Sequence, residues 1–248
     1  MPITDTKIKN ITKRGFTQHK ELNSEFFDSN KKMKPEVRKQ LIKIADEFLA
    51  FLGIDHIDFD DVTLTGSLSN YNWNPYSDVD LHVIFDYTEI DDDLDLVREF
   101  FMAKKSLWNQ EHDITIYDYE VELYGQDSNE PHHSTGVYSV LTNKWIVEPK
   151  PDSYKLNQKE IVNKSKHFMR LIDDVEEKFS NNPDDESIIS VIDRIKQKVK
   201  KYRQSGLETG GEFSNENLVF KVLRRSDYLG KLGDIKTKAI DKQLSLDD

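Results

Sequence analysis

The sequence predicts an α+β fold: a first half in which helices alternate with strands, then a helical C-terminal half. Three observations carry that reading. Strand-like runs alternate with helix-periodic stretches up to about residue 150. Beyond residue 152 only helical periodicity remains. Among the strands lie a Gly66-Ser67 turn and, ten residues on, the pair Asp78/Asp80, which gives the first half a chemical focus. The 248 residues fit one large domain or two small ones, enough to bury a substantial core.

Residues 1–34 are polar and lysine-rich, with Phe26-Phe27 as an aromatic pair, and read as an N-terminal arm, loose or folded as a short helix laid on the domain. Pro35 suits the first turn of a helix. Val37, Leu41, Ile44, Ala45, Phe48 and Leu52 follow at helical spacing, and Gly53 ends it. Residues 62–65 form a short strand before the Gly66-Ser67 turn, and residues 80–85 read as a buried strand. Residues 91–108 read as a helix, with acids in its first turn at the positive end of the dipole. Residues 114–123 alternate well enough to be one long strand, 125–136 read as loop, and 137–147 as a hairpin turning at Thr142-Asn143. Pro149 and Pro151 mark a boundary. Apolar stripes then run from Ile161 to Phe179 and from Ile188 to Val199, with a third helix expected over 217–232. The tail, residues 236–248, is expected to fray. The chain divides into an arm (1–34), an α/β half (35–150), a helical domain (151–235) and a flexible tail (236–248).

Composition narrows the function classes. Charged residues make up 33% and hydrophobic residues 36%, with a net charge of −11. That balance argues against non-specific binding to DNA or membrane as the main task, though not against a local basic groove. The chain has no cysteine, which rules out disulfides and cysteine-ligated metal sites. The first residues lack the apolar core of a signal peptide, and no run reaches the length of a membrane span. The expectation is a cytoplasmic protein with no membrane partner.

Asp78 and Asp80 share one face if their segment is a strand, while Val79 and Leu81 face a core. Placed after a Gly-Ser turn, such a pair can hold Mg2+ against nucleotide phosphates, because Mg2+ usually takes one or two carboxylates plus substrate oxygens. Gly66 lets backbone approach phosphate without a Cβ in the way. Ser67 offers a hydroxyl, and amides at such a turn can form an anion-binding concavity. The run Asp91-Asp92-Asp93 is acidic too, but reads as a solvated helix start.

Leu64-Thr65-Gly66-Ser67 followed by Ser77-Asp78-Val79-Asp80-Leu81 resembles the nucleotidyltransferase superfamily built on the DNA polymerase β-like fold. Its signature is an apolar residue, Gly, Gly or Ser, a short spacer, then Asp-x-Asp or Asp-x-Glu inside a strand. The match covers residues 62–123. It implies a mixed sheet with helices for the catalytic domain, residues 35–150. It also implies transfer of a nucleoside monophosphate from a nucleoside triphosphate such as ATP, with Mg2+ or Mn2+ and release of pyrophosphate. Asp78 and Asp80 are then catalytic metal ligands, joined by a third acid on the strand after the crossover helix. Asp118, Glu120 and Glu122 share one face by alternation. Glu122 is preferred because Val121-Glu122-Leu123 has the apolar–acid–apolar form, with Glu120 next. Gly66, Ser67 and Ser77 are expected to bind the nucleotide. The phrasing GSLSNYNWNPYSDVDLHV also resembles nucleotidyltransferase-like proteins of large tailed phages, which would place the chain in a host cytoplasm.

Other features have two readings each. The aromatics and amides of residues 69–76 either contact a base or acceptor or pack the loop. His82 shares the face of Asp80, as a structural partner or a ligand. His132-His133 finds no third ligand at matching spacing and reads as loop. Residues 194–203 carry six basic residues in ten, a solvated helix face or a phosphate or RNA surface. Residues 203–211 read as a loop unusual for pure scaffolding, and Arg203 and Lys221 are singled out as triphosphate contacts. The acceptor stays open, since the superfamily modifies RNA 3′ ends, antibiotics, proteins and nucleotides. The acidic net charge favours a small molecule, protein or short RNA end over long DNA, while the basic stretch favours tRNA or a nucleotide. Cyclic oligonucleotide synthesis is disfavoured because the chain is short for that class. The alternative is a catalytically inactive nucleotide-binding module or a toxin–antitoxin component.

Overall fold

The computed structural model describes residues 5–54, 57–132, 134–151 and 156–246. The chain divides into two compact units. Thr17–Ser153 forms a sheet unit, and Met1–Phe16 with Tyr154–Asp248 forms a helical one. The first helix, α1 (Asp5–Gly15), belongs to the helical unit. Residues 1–34 are therefore shared between the units. The reason lies in their apolar side chains. Ile8, Ile11 and Phe16 are buried in the helical core, whereas Leu22, Phe26 and Phe27 are buried in the core of the sheet unit.

In the sheet unit, α2 (Pro35–Leu52) starts with Pro35 and ends at Gly53, whose φ of 72° is the left-handed conformation that closes many helices. It buries the stripe its spacing predicts, from Val37 to Leu52. The strands are β1 (Asp61–Thr65) and β2 (Val79–Phe85), then, after α3 (Leu94–Glu111), β3 (Thr115–Ile116), β4 (Tyr119–Asp127), β5 (Val137–Ser139) and β6 (Lys144–Val147). They form one mixed sheet in the order β3-β4-β2-β1-β5-β6. β2 and β4 are parallel, and the other neighbours are antiparallel. A parallel pair needs a crossover, which α3 supplies. Asp93 caps α3 by accepting from the Leu96 amide at 3.1 Å.

Residues 114–123 are not one strand. The chain reverses at Tyr117-Asp118, both with positive φ (49° and 67°), in a two-residue hairpin joining β3 to β4. Positive φ at both central residues marks the primed turn whose twist suits a hairpin. β4 then runs to Asp127, into the stretch expected to be loop. Gly125 makes this possible: a Cβ there would lie 2.2 Å from Cδ1 of Phe101, the ring α3 packs against this face. Further along α3, Asn109 accepts from the Leu123 amide at 3.1 Å and donates to the Leu123 carbonyl at 3.2 Å, satisfying both backbone groups where β3 has ended.

The helical unit adds α4 (Gln158–Asn181), α5 (Ile188–Gly210), α6 (Asn215–Arg225) and α7 (Tyr228–Leu244) to α1. Three boundaries differ from the sequence reading. Residues 203–210 continue α5 rather than forming a loop, because Gly206 is a packing glycine. A Cβ there would meet Glu216 Cβ at 2.4 Å and Ser214 Oγ at 2.6 Å. The stretch 217–232 is two helices, broken where Ser226 Oγ bonds back to the Val222 carbonyl and Asp227 turns to a φ of 61°. α7 continues past residue 235 to Leu244, with Ala239 buried; residues 247 and 248 lie outside the described ones. No described helix is long and apolar enough to cross a membrane.

Because Phe101 is buried and cannot swing away, Gly125→Ala should destabilise the sheet unit by about 2 kcal/mol through overpacking. Urea denaturation measures this, and an unchanged midpoint would show that the Phe101–Gly125 contact is dispensable.

Candidate functional site

The site grows from the end of β1. Thr65 pairs with Asp80 across the antiparallel ladder, and the next residue, Gly66, takes a φ of 72°. A Cβ at Gly66 would stand 1.9 Å from Asp80 Oδ2 and 2.8 Å from its Cγ. The left-handed backbone favours glycine, and any side chain there would have to displace the Asp80 carboxylate. Ser67 Oγ donates to Ser77 Oγ at 2.7 Å, and Ser77 Oγ also accepts from the Asn74 amide at 2.9 Å. Three residues sequence singled out, Gly66, Ser67 and Ser77, are therefore brought together at the mouth of β2.

The loop between them is packed by its own side chains. Trp73 stacks on His19 with centroids 3.7 Å apart, and its Nε1 donates to the Glu21 carbonyl. Asn70 donates to Thr135 Oγ1 at 2.7 Å, Ser69 Oγ bonds the Gly136 carbonyl at 2.8 Å, and Tyr71, Asn72 and Asn74 are buried. Of the two readings of residues 69–76, packing is the one these contacts express; Tyr76, 38% exposed, is the most accessible of its aromatics.

Val79, Leu81, Val83 and Phe85 bury one face of β2, leaving Asp80 and His82 half-buried on the other. Asp78 sits one residue ahead of the strand and is half-buried too. In the parallel register Asp80 lies beside Glu122 and His82 beside Tyr124, on strands whose spacing is about 4.8 Å. Glu120 is exposed and pairs with Thr115, and Asp118 is in the hairpin turn. The alternation expected to align all three acids thus holds only for Glu120 and Glu122, and it is Glu122 that neighbours Asp80.

Two residues of this site were missed in the sequence. Tyr124 donates its hydroxyl to Glu122 Oε2 at 2.5 Å. Lys105 of α3 holds its ammonium 3.5 Å from the Tyr124 ring centroid. Burial pushes the Lys105 pKa down, while Glu122 and Asp80 attract the ammonium and pull it back up. Alternation continued past Leu123 would have placed Tyr124 on the face of Glu122. Nothing local marks Lys105, which reaches the site only through the packing of α3. His82 is a partner in this network: Nδ1 bonds Gln126 Oε1 at 2.7 Å and the ring stacks on Tyr124. His132 is exposed, and His133 lies outside the described residues.

Arg203 and Lys221 belong to the helical unit. Arg203 donates to Asn217 Oδ1 at 3.0 Å, and its guanidinium lies 4.1 Å from the Phe220 centroid. Lys221 is held below its ordinary pKa by burial and by Arg225, Arg224 and Arg203, against the pull of Glu212. These cations form a cluster of their own.

The donor set suits a hard divalent ion: carboxylate oxygens on adjacent strands, with the Asp80 carboxylate lying against Gly66 where a Cβ would stand. Among the described residues no three His, Cys, Asp or Glu side chains close around one point. That falls short of an all-protein cage and is compatible with Mg2+, which usually takes one or two carboxylates and completes its shell with water and phosphate oxygens.

Two outcomes follow from this geometry. Burial is the main cause that lowers the His82 pKa from 6.5 to about 4, with Lys105 and His132 adding and the Gln126 bond opposing. The folded state thus prefers the neutral ring, a stabilisation present above pH 6.5 and lost as pH falls toward 4. An NMR titration of the His82 ring should give a midpoint well below 6, and a midpoint near 6.5 would contradict the burial. Gly66→Ala should cost about 1–2 kcal/mol from the left-handed φ alone, before any displacement of Asp80, as read by chemical denaturation.

No protein-family model matches the chain, and no curated protein matches it. Among solved structures, a STING-associated CdnE c-di-GMP synthase from Capnocytophaga granulosa aligns with 97% of this chain and 100% of that one, at 11% identity and a TM-score of 0.23. A score of that size does not establish a shared fold.

Proposed function

We propose that the sheet unit is a metal-dependent nucleotidyltransferase that moves a nucleoside monophosphate from a nucleoside triphosphate to an acceptor and releases pyrophosphate. One observation carries this reading: Asp80 lies beside Glu122 in the parallel register, with its carboxylate against Gly66 where a Cβ would stand. Asp80 and Glu122 would hold Mg2+, or Mn2+ in its place, with water and phosphate oxygens completing the shell, and Asp78, one residue ahead of β2, would join them as the third acid when the ion binds. Bound there, the ion would activate the attacking hydroxyl and offset the charge growing on the leaving oxygens.

The protein's own part is to bind and orient. The turn at Gly66 brings backbone close to the phosphates, and Ser67 contributes its hydroxyl. Ser77 is buried and accepts two hydrogen bonds, so its part is to hold Ser67 and the loop in place. The acceptor hydroxyl gives up its proton to solvent as its oxygen bonds the α-phosphorus and the bond to the bridging oxygen breaks, and that bridging oxygen departs with pyrophosphate. Lys105, beside Glu122 and Asp80, offsets part of their negative charge. In the helical unit Arg203 and Lys221, expected from the sequence as triphosphate contacts, are proposed as a separate polyanion-binding cluster, because crowded, partly buried cations are relieved by a polyanion. The chain's acidic charge, −11, supports a small, protein or short RNA acceptor over long DNA.

A second reading, a module that binds nucleotide without transferring it, is favoured by one observation: no three ligand side chains converge on a point among the described residues. One assay separates the two. The protein is incubated with each α-32P-labelled nucleoside triphosphate, Mg2+ or Mn2+, and tRNA, total protein or no acceptor, beside an Asp78→Ala/Asp80→Ala variant. Transfer predicts label in one fraction, reduced at least about 100-fold in the variant, on the scale of ΔΔG‡ near 3 kcal/mol. Nucleotide binding by calorimetry with no label in any fraction would favour the second reading.

A further inference from the structure

β2 and β4 present a polar ladder on one face: Asp80 and His82 from β2, and Glu122, Tyr124 and Gln126 from β4. Its members hold one another in sequence. Gln126 Oε1 accepts from His82 Nδ1 at 2.7 Å. The His82 ring stacks on Tyr124 with centroids 4.8 Å apart and planes 16° apart. Tyr124 donates to Glu122 Oε2, and the Lys105 ammonium sits over the Tyr124 ring. A glutamate has three rotatable side-chain bonds, and a half-exposed one samples several rotamers unless something fixes it.

We propose that Tyr124 is the positioning residue for Glu122: its hydroxyl ties down Oε2 and leaves Oε1 as the oxygen offered to a divalent ion. This rests on the reading of the site as metal-dependent. Tyr124 touches neither ion nor nucleotide in this scheme. It acts through Glu122, and its ring is kept in place by His82 on β2 and Lys105 on α3. Ligating carboxylates are commonly fixed by such hydrogen bonds, and loss of the outer partner weakens metal binding about 10–100-fold. The arrangement also gives Lys105 a second part. An ammonium over a tyrosine ring is a cation–π contact, and here it holds the ring whose hydroxyl orients the acid.

The test uses the full chain and Mn2+ alone as the probe. Free Mn2+ is followed by electron paramagnetic resonance during titration of the wild type, Tyr124→Phe and Glu122→Gln, with thermal melts run alongside. Tyr124→Phe removes one oxygen and keeps the ring and its stacking. The expected result is Mn2+ binding by the wild type, near-complete loss in Glu122→Gln, and about tenfold weaker binding in Tyr124→Phe at an unchanged melting temperature. A purely structural role would lower the melting temperature and leave Mn2+ affinity intact. Equal affinity in the wild type and Tyr124→Phe, with Glu122→Gln defective, would overturn the positioning role and leave the metal reading standing. No Mn2+ binding by the wild type, or wild-type affinity in Glu122→Gln, would overturn both.

Discussion

At Gly66 the backbone is left-handed and the Asp80 carboxylate takes the place of a Cβ, and the geometry of the site follows from that. The residue sits where β1 ends, in a conformation that L side chains rarely adopt, with the Asp80 carboxylate occupying the space a Cβ would need. Asp80 is fixed on its other side by the parallel register that sets it beside Glu122. Three separate parts of the chain, the turn after β1, the start of β2 and the middle of β4, are thereby brought to one spot. A shift of one residue in the register would turn every carboxylate of the pair into the apolar core, so the buried face of Val79, Leu81, Val121 and Leu123 enforces the polar one.

α3 serves this arrangement twice. Phe101 packs where Gly125 leaves room, which seats the helix on the buried face of β4. Further along, Lys105 reaches Tyr124 on the polar face. A single helix thus anchors on one side of the strand and delivers a cation to the other. The helical unit shows a related economy: Gly206 lets α5 approach Ser214 and Glu216 closely, and Arg203, a turn earlier, bonds Asn217 at the start of α6.

Much of this was legible in the sequence where the signal is local. The helical stripe of α2 and the Gly53 stop, the strand at 80–85 and the hairpin around Thr142-Asn143 depend on periodicity and turn chemistry within a few residues. The Gly66-Ser67 and Asp78/Asp80 constellation was visible for the same reason. The misreadings involve residues whose meaning depends on distant partners. Tyr117-Asp118 look like alternating strand until both adopt positive φ. Gly206 looks like a loop residue because its packing against Glu216 is tertiary. The arm divided because Ile8 and Phe26 find different cores, a choice no short window contains. Lys105 could not be read at all, since nothing in its own segment points to Tyr124.

Asn109 has a further role that concerns the molecule among its neighbours. β3 covers only the first residues of β4, so the outer rim of β4 beyond Val121 would otherwise present an open row of amides and carbonyls. Such a rim is a template onto which a strand from another chain can add, the usual first step toward aggregation or domain exchange. By taking both the amide and the carbonyl of Leu123 with one carboxamide, Asn109 occupies the position an invading strand would need. The side chain mimics a peptide group and terminates the sheet, so the protein can keep a long strand beside its polar ladder without offering that strand to other chains.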